Sequence, residues 1–529
     1  MDILNILGEV KRLRAVGRHA EAANRLRMVV TELPDDPIRW VILIDSAARS
    51  GRAEEIGKLA CSMAPHLIRP EITLHPLSRW LRNNGYWEAA GEVCRAILQE
   101  EPDARKTTHD MLVHVQFSEV DDAECFAQLT AWNRIAVLPI LSEARKPDSN
   151  SDPFRPLRIG FISNDFSADH SLNTAMGAWF GDRESVEDTC VFYANWNTKH
   201  MPHRRFREAA DLFLNVEAFS DSEFANQVRQ DRIDILVDFI GHMDNSRLLA
   251  YAHRPAALTV HWIGVGLATG AASVDYLLSD TYRTPLENQS LYVERLALLP
   301  QSGICWTPPL HSPAVTAPPH LSGRPFAFGN FSRISKFRPE TVALWSRVLN
   351  AIPTAIMILK DHRLTEFNTN RLASEFRSHG ITRDRLRFLP GTDHFQHLAA
   401  YSEVDLMLDS FPEQSGVSGL EAAWMGVPMV AMRYAERAGT RVSDWIMGNL
   451  GLPALVASDT DTYVALACDL AGHSDALRRL RSILRPRLLK SAICDEDLFR
   501  HNVRRALRTM WRRHCAGLPP EGFELATSH

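Results

Sequence analysis

A glycine recurs every 34 residues near the start of the chain, at Gly17, Gly51 and Gly85. A helix-forming segment follows each of these glycines. Pro34 and Pro102 each lie 17 residues after a glycine, where one helical hairpin would end and the next begin. A glycine at such a turn lets two helices cross closely. The period therefore predicts a stack of helical hairpins, and a generic helical bundle with coincidental glycines is the alternative.

A period of 34 residues is the length of the tetratricopeptide repeat, and about three such units fit into residues 1–125. Arrays of this kind present a concave surface that holds extended peptides or partner proteins. We therefore expect a protein or peptide partner to bind this part of the chain.

The rest of the chain alternates short apolar strands with helical stretches, which is typical of parallel sheets covered by helices on both faces. A proline-rich run at 308–325 divides it into two doubly wound lobes, which implies a cleft at the carboxyl ends of their strands. The predicted domains are the repeats at 1–125, a connecting segment at 126–156, lobes at 157–310 and 326–485, and a C-terminal helix at 486–516. Strands are expected at 157–163, 190–194, 233–239, 258–262, 276–278, 326–328, 355–359, 386–389, 404–409 and 429–432.

Composition argues for an ordinary globular protein. The net charge of -5 does not indicate a nucleic-acid or anionic-membrane partner. No stretch reaches the ~20 apolar residues of a membrane span, and the N-terminus lacks the basic and apolar regions of a signal peptide. Eight scattered cysteines without Cys-x-x-Cys spacing indicate buried free thiols in a reducing compartment. We expect a cytoplasmic protein.

A lysine follows the first predicted strand of the second lobe. Lys336 comes after a strand that ends in Asn330-Phe331 and before Pro339, a favourable first residue of a helix. A lysine there points across the strand end at a bound diphosphate and neutralises the leaving group as a sugar bond breaks, a task that metal ions perform elsewhere. Arg333 and Arg338 flank it. Three surface cations in a loop are the alternative, which we favour for Arg338.

A glycine-rich helix start lies about eighty residues further on. Gly416, Val417, Ser418 and Gly419 open a predicted helix, whose N–H groups and dipole favour phosphate. Glu421, one turn further in, can accept two hydrogen bonds from a ribose diol. Compensation of the helix dipole is an equally good reason for this carboxylate.

Four histidines are further candidates. His397 lies on a predicted helix that follows Thr392 and His394, and it can hydrogen-bond a phosphate or sugar, although a lone helical histidine is more often structural. His170 and His242 follow strands of the first lobe, where a base or an acceptor-orienting group belongs. Loop histidines without a role are the alternative.

Two Asp-x-Asp strings, at 459–461 and 495–497, precede predicted helices. Capping of the helix N-termini explains them better than a divalent metal does. We therefore expect no catalytic metal and no cofactor apart from a nucleotide-sugar co-substrate.

Several motifs, taken together in their order along the chain, resemble the O-linked N-acetylglucosamine transferase family over about residues 157 to 515. The motifs that carry the resemblance lie at 158–161, 165–166, 234–238, 241–242, 254–256, 262–264, 275–276, 330–336, 420–430, 441–442 and 510–511. The resemblance implies a GT-B pair of Rossmann-like lobes behind the repeats. It also implies an inverting, metal-independent transferase that moves N-acetylglucosamine from UDP to serine or threonine of a protein.

The resemblance assigns roles in the second lobe. Lys336 matches the lysine that stabilises the departing UDP, and Arg333 stands where the family often has a glutamine near the diphosphate. His397 matches a histidine beside the uracil and phosphates. Thr392 lies in the loop whose backbone reads the base, next to His394.

It also assigns roles at the helix start and in the first lobe. Ser418 falls in the helix start that holds phosphate, with Gly416 and Val417, and Glu421 replaces the usual ribose carboxylate. His170 resembles a histidine near the acceptor, and His242 matches the Gly-His-Thr of bacterial relatives.

The chain departs from the family pattern at several positions, and these leave the donor sugar open. The usual Asn-Gly-His-Thr-Thr is Gln-Ser-Gly-Val-Ser at 414–418, and Trp-Leu-Gly-Tyr-Pro is Trp-Ile-Gly-Val-Gly at 262–266. The alternatives are another nucleotide sugar or acceptor, including flagellin-type or asparagine glycosylation, and a repeat scaffold fused to a degenerate transferase. The acceptor protein, the base and the oligomeric state stay open.

Overall fold

The computed structural model describes residues 3–147, 151–166, 177–180, 188–195, 203–262 and 267–527. Its chain forms two compact units. The first unit comprises Met1–His114, Pro319–Ser410 and Ala467–Gly472, and the second comprises Val115–Pro318, Phe411–Leu466 and His473–His529. Because each unit draws on several stretches of chain, the domain boundaries given above stay a prediction.

The helices and strands of the described residues have the following bounds. The helices are α1 (Ile3–Ala15), α2 (His19–Glu32), α3 (Pro37–Ala48), α4 (Ala53–Met63), α5 (Pro70–Asn83), α6 (Trp87–Glu100), α7 (Arg105–Gln116), α8 (Asp122–Trp132), α9 (Leu138–Glu143), α10 (Arg204–Ala209), α11 (Asp221–Gln230), α12 (Leu248–Ala252), α13 (Pro339–Ala351), α14 (Glu366–Ser378), α15 (His394–Ala400), α16 (Val417–Trp424), α17 (Val442–Asn449), α18 (Thr460–Gly472), α19 (Ser474–Lys490) and α20 (Glu496–Cys515). The strands are β1 (Arg158–Ser163), β2 (Thr189–Ala194), β3 (Leu212–Asn215), β4 (Ile235–Asp238), β5 (Leu258–Trp262), β6 (Tyr276–Asp280), β7 (Arg295–Leu299), β8 (Ala327–Asn330), β9 (Ile356–Lys360), β10 (Leu386–Leu389), β11 (Leu406–Leu408), β12 (Met429–Met432), β13 (Val456–Ala457) and β14 (Phe523–Glu524).

The helical repeats are confirmed, but close crossing of helices is the wrong reason for glycine at Gly17 and Gly51. Gly17, Gly51 and Gly85 end α1, α3 and α5 with φ of +75°, +75° and +86°. In each turn the next residue donates its N–H to the carbonyl five residues back, which is the hydrogen-bond pattern of a left-handed helix end. A Cβ at Gly17 or Gly51 would meet nothing within 4 Å. Backbone conformation, and not close helix crossing, therefore requires glycine at these two turns.

The first unit also contains four parallel strands in the order β10-β9-β8-β11. Strands β8, β9 and β11 are largely buried, whereas β10 at the edge is partly exposed, and α13 and α14 connect β8, β9 and β10 as crossovers. The chain order reverses between β8 and β11, and ligands of open parallel sheets bind beside the carboxyl ends of strands at such a switch point.

The second unit contains an eight-stranded parallel sheet in the order β14-β7-β6-β5-β4-β1-β2-β3. Its switch point lies between β1 and β4, which is the arrangement of a doubly wound Rossmann-like sheet. The parallel pair β12 and β13 belongs to this unit as well.

The structure adds detail to three parts of the sequence analysis. The connecting segment carries α8, a π-helical turn at Asn133–Val137 and α9, so much of it is helical. The short strands β3, β7, β13 and β14 were not expected. All eight cysteines are free, but Cys94, Cys125 and Cys305 alone among them are fully buried. In the described ranges, no helix combines the length and apolarity that a membrane crossing requires.

Candidate functional site

The loop that carries Lys336 leaves the carboxyl end of β8 at the switch point of the first unit. We define the lysine loop as Phe331–Arg338. Within it, Ile334–Lys336 forms one 3-10 turn, and the Lys336 N–H donates to the Arg333 carbonyl at 2.9 Å. The Lys336 residue is 8% exposed. The loop therefore holds its lysine in a fixed, largely desolvated position.

Two neighbouring strand ends hold the lysine loop. Asn330, which is fully buried, donates from Nδ2 to the Leu408 carbonyl at the end of β11 at 2.8 Å, and its Oδ1 accepts the Ser332 N–H. After β9, the Asp361 carboxylate accepts the Ile334 N–H at 2.6 Å. Asp361 was not among the sequence candidates, although its position directly after a predicted strand was a usable signal.

The three cations of the loop lie in different environments. Arg333 is exposed, whereas Lys336 and Arg338 are buried, the latter at 2% exposure. The interpretation of Arg338 as a surface cation is wrong, because its guanidinium lies over the Trp87 ring, with Cζ 3.7 Å from the ring centroid.

The histidine helix α15 lies beside the base of the lysine loop. Asp393 caps it by accepting the Gln396 N–H, and His397 makes edge contacts with Phe331 at 5.8 Å and with Tyr401 at 5.7 Å between ring centroids. His394 stacks on His397 at 6.4 Å. Thr392 and His394 are exposed, whereas His397 is half-buried. The first unit thus places His397 against Phe331 at the start of the loop that carries Arg333 and Lys336, with His394 stacked on His397.

The glycine-rich helix start lies in the second unit. As expected, Gly416 precedes a helix, α16, and its carbonyl accepts the N–H groups of Gly419 and Leu420. The residues at 416–418 are half-buried, and a Cβ at Gly416 would meet nothing within 4 Å. The first amides of a helix have no carbonyl partner within it, so this terminus has the chemistry to bind an anion.

Side chains around this turn fix its course. Gln414 donates to the Met432 carbonyl at 2.7 Å and accepts the Ser443 N–H at 2.8 Å, so it is a structural bridge. Glu421 is 7% exposed on the second turn of the helix. A buried carboxylate requires hydrogen-bonding or charged partners, and compensation of the helix dipole alone does not supply them.

His242 follows β4 at the switch point of the second unit. It is 2% exposed, its Nε2 lies 2.7 Å from the Thr269 carbonyl, and Trp132 packs edge-on at 5.0 Å. Burial lowers the pKa of His242 to about 4, although the bond to Thr269 opposes part of that shift. At neutral pH the imidazole is therefore neutral, with Nε2–H donating to the carbonyl and the lone pair on Nδ1. Its catalytic role stays a prediction.

A buried carboxylate organises the backbone that carries His242. Asp238 accepts hydrogen bonds from the Ile240 and Gly241 N–H groups, from the Tyr251 hydroxyl and from His261 Nδ1, at 2.8 to 3.0 Å. Burial opposes ionisation of Asp238, but the bonds and charge of His261 keep the pKa of this carboxyl below its usual value. The bond to Asp238 conversely raises the pKa of His261 against the effect of burial.

The remaining predictions of the sequence have clear outcomes. His170 lies outside the described residues. Asp459 accepts the Thr462 N–H at 2.7 Å, and Asp495 accepts the Leu498 N–H at 2.9 Å. Both Asp-x-Asp strings therefore begin with a helix cap, as interpreted.

Helical repeats together with two Rossmann-like sheets of parallel strands form the GT-B glycosyltransferase architecture. The chain belongs to glycosyl transferase family 41, which matches residues 109–305 and 319–503.

Relatives and solved structures agree with this assignment. The chain is 30% identical over 433 residues to the probable UDP-N-acetylglucosamine–peptide N-acetylglucosaminyltransferase SPINDLY of Solanum lycopersicum, covering 80% of this chain and 46% of that protein. The Arabidopsis thaliana protein of that name is 32% identical over 379 residues, covering 70% of this chain and 41% of the relative. The chain spans about half the length of the curated relatives it matches. A lysine-to-methionine variant of Thermobaculum terrenum O-GlcNAc transferase shares the fold with a TM-score of 0.82 and 26% identity, covering 97% of this chain and 98% of that one.

Proposed function

We propose that this chain is an inverting protein O-glycosyltransferase that moves N-acetylglucosamine from UDP-N-acetylglucosamine to a serine or threonine of a protein acceptor. Family membership supports the proposal. Relatives named as UDP-N-acetylglucosamine–peptide N-acetylglucosaminyltransferases, in Solanum lycopersicum and Caenorhabditis elegans, support it as well.

The observation that carries the proposal is the placement of Lys336. The lysine is desolvated, at 8% exposure, on a loop that strand ends hold at a sheet switch point. A cation fixed in such a place stabilises a developing negative charge much better than one in water.

The proposed reaction needs stabilisation of the departing diphosphate and a base for the acceptor hydroxyl. The acceptor oxygen attacks the anomeric carbon from the face opposite the diphosphate, the bond to UDP breaks, and its electron pair stays with the diphosphate. In the proposal, Lys336 neutralises that charge, so no metal is required. The hydroxyl proton passes to a base, for which His170 and His242 are the candidates from the sequence.

Other residues are proposed to bind the donor. Arg333, Thr392, His394 and His397 are proposed to contact the base and phosphates; the packing of His397 on Phe331 of the lysine loop, with His394 stacked on His397, supports this. The α16 N-terminus, at 416–418, is proposed to bind phosphate. Glu421 is proposed to hold the ribose.

The acceptor and the compartment complete the proposal. The helical repeats are proposed to hold the acceptor polypeptide, since stacked hairpins present an extended surface. Eight free cysteines support a reducing compartment and hence the cytoplasm.

A panel of donors tests the proposal. Purified protein is heated with UDP, UDP-N-acetylglucosamine, other UDP-hexoses, GDP-sugars and CMP-sugars, and each binding ligand raises the melting temperature by mass action. A shift with UDP-N-acetylglucosamine, followed by an N-acetylhexosamine mass increase on a co-expressed serine-rich acceptor, supports it. A shift with another nucleotide sugar refutes the donor assignment. No shift with any nucleotide refutes the enzyme assignment and favours a scaffold.

A further inference from the structure

The third helical hairpin of the repeats touches the lysine loop directly. We define the repeat turn as Asn84–Trp87, which joins α5 to α6. Trp87 is 6% exposed, and its indole N–H donates to the Ser335 carbonyl at 2.6 Å across 248 residues of sequence. Ser335 is the residue directly before Lys336, so one buried hydrogen bond links the repeat turn to the backbone next to the lysine.

Trp87 also contacts the lysine loop on the C-terminal side of Lys336. The Arg338 guanidinium lies 3.7 Å from the centre of the Trp87 ring, and both groups are buried. A stacked, desolvated guanidinium interacts strongly with an indole face. The residues one before and two after Lys336 therefore both contact the same side chain.

The repeat turn is itself docked on the lobe that carries the lysine. Asn368 of α14 donates from Nδ2 to Asn84 Oδ1 at 3.2 Å, and the Arg371 guanidinium lies over Tyr86, 5.4 Å from its ring centroid. A Cβ at Gly85 would lie 2.9 Å from the Arg371 guanidinium nitrogen. Glycine here adopts the same left-handed backbone as at the two earlier turns, and it also lets the Arg371 guanidinium approach closely.

Trp87 is supported from within the repeats. His114 of α7 stacks on its ring at 5.5 Å between centroids. Gly91 makes room for that imidazole, because a Cβ at this position would lie 2.7 Å from His114 Nε2. The indole is therefore held by contacts within the repeats as well as by the lysine loop.

The geometry points to Trp87 as a positioning residue for Lys336, so that the repeats contribute to the sugar-transfer step and not to acceptor capture alone. This inference rests on the proposed function. A shift of about 1 Å in a charge-stabilising group is enough to lower a rate ~10²-fold. The one-turn segment that carries Lys336 depends on outside contacts to prevent such a shift.

Two matched substitutions test the inference. Trp87→Phe removes the hydrogen bond to Ser335 and keeps an aromatic ring. Trp40→Phe is the control, because the Trp40 indole, also buried in the repeats, donates to the Pro34 carbonyl at 2.7 Å with no contact to the lysine loop. Trp87→Phe is expected to lower kcat ~10-fold or more with KM for the donor within ~2-fold, since the lost interaction acts in the transition state. Trp40→Phe is expected to leave both constants within ~2-fold of wild type.

A double-mutant cycle separates positioning from general loss of structure. In a Lys336→Ala background, Trp87→Phe should not lower the residual rate further, since residues that act as a unit are non-additive. A full additional loss in that background overturns the inference, as does a Trp87→Phe enzyme with the kinetic constants of the Trp40→Phe control. Arg338→Lys keeps the charge but loses the planar stack, and it is expected to lower kcat in the same way if Trp87→Phe does not fold.

Hydrogen exchange tests the contact without reference to activity. In Trp87→Phe, peptides covering 331–338 should exchange several-fold faster than in wild type, whereas Trp40→Phe should leave them unchanged. Equal exchange in the three proteins overturns the inference even if the enzyme is active. If wild type transfers no sugar while exchange responds as expected, the proposed function fails and the structural link between Trp87 and the lysine loop stands.

Discussion

Acid should destabilise the first unit through a single buried histidine. His114 is 6% exposed, and burial, together with the charges of Arg338, Arg95 and Arg82, lowers its pKa to about 4. An unfolded histidine titrates near ~6.5, so between these values the unfolded chain binds more protons than the folded one. The contribution of neutral His114 to the free energy of unfolding is therefore fully present above the unfolded pKa, and it is lost as the pH drops towards 4.

The size of the effect follows from the two pKa values. For a folded pKa of about 4, lowering the pH from ~7.5 to ~5 costs about 2 kcal/mol of unfolding free energy through this residue. His114→Leu, which is similar in size and cannot titrate, should remove that share of the pH dependence. Urea unfolding followed by tryptophan fluorescence at the two pH values measures it as a change in midpoint on the order of 0.5–1 M.

The comparison is between pH dependences, so any loss of packing in the variant cancels. All other titrating groups are common to both proteins. If wild type and His114→Leu lose equal stability between the two pH values, His114 is not held neutral against Trp87, and the described packing is refuted.

Four further substitutions have defined outcomes. Gly91→Ala improves helix propensity but places a methyl group 2.7 Å from His114 Nε2, so it should destabilise the protein by ~1–3 kcal/mol in thermal unfolding; an unchanged or higher melting temperature contradicts this. Asp238→Asn leaves buried hydrogen-bond donors facing an amide group in place of a carboxylate. The free energy of unfolding, measured by chemical denaturation, should fall by ~3–5 kcal/mol. A fall of less than ~1 kcal/mol contradicts the arrangement of four donors around Asp238. Gly51→Ala should lower the free energy of unfolding only by the ~1–2 kcal/mol of a left-handed backbone. Gly85→Ala should lower it further, because the added methyl group displaces the neighbouring guanidinium. Equal melting temperatures of the two variants contradict that difference.

The repeats could be read from the sequence because their signal is periodic. Three glycines 34 residues apart located the turns, and the structure puts all three in the left-handed region. The physical reason was harder to see, since only the environment of each glycine distinguishes backbone conformation from close packing. Gly85 is the one that also needs space.

The strand pattern was visible where strands are buried and apolar. The missed β3 reads Leu-Phe-Leu-Asn, and its side chains are partly or fully exposed. Three apolar residues in a row are too short a run to identify a strand. The missed β7 reads Arg-Leu-Ala-Leu-Leu, and a short apolar run of this kind is consistent with either a helix or a strand.

The lysine loop could be found, but its supports could not. A lysine after a strand and before a proline-started helix is a local pattern, and the structure has both elements. The contact between Trp87 and Ser335 joins residues 248 positions apart, and no local spacing encodes it. The burial of Arg338 was misjudged for the same reason.

The central claim is that Lys336 stabilises the departing diphosphate, and single-turnover transfer tests it most directly. Wild type and Lys336→Ala are mixed in excess with labelled donor and an acceptor, while donor binding is measured separately by calorimetry. We predict a rate at least ~10²-fold lower in Lys336→Ala, with the same melting temperature and donor affinity within ~10-fold. Transfer by Lys336→Ala at the wild-type rate would contradict the claim.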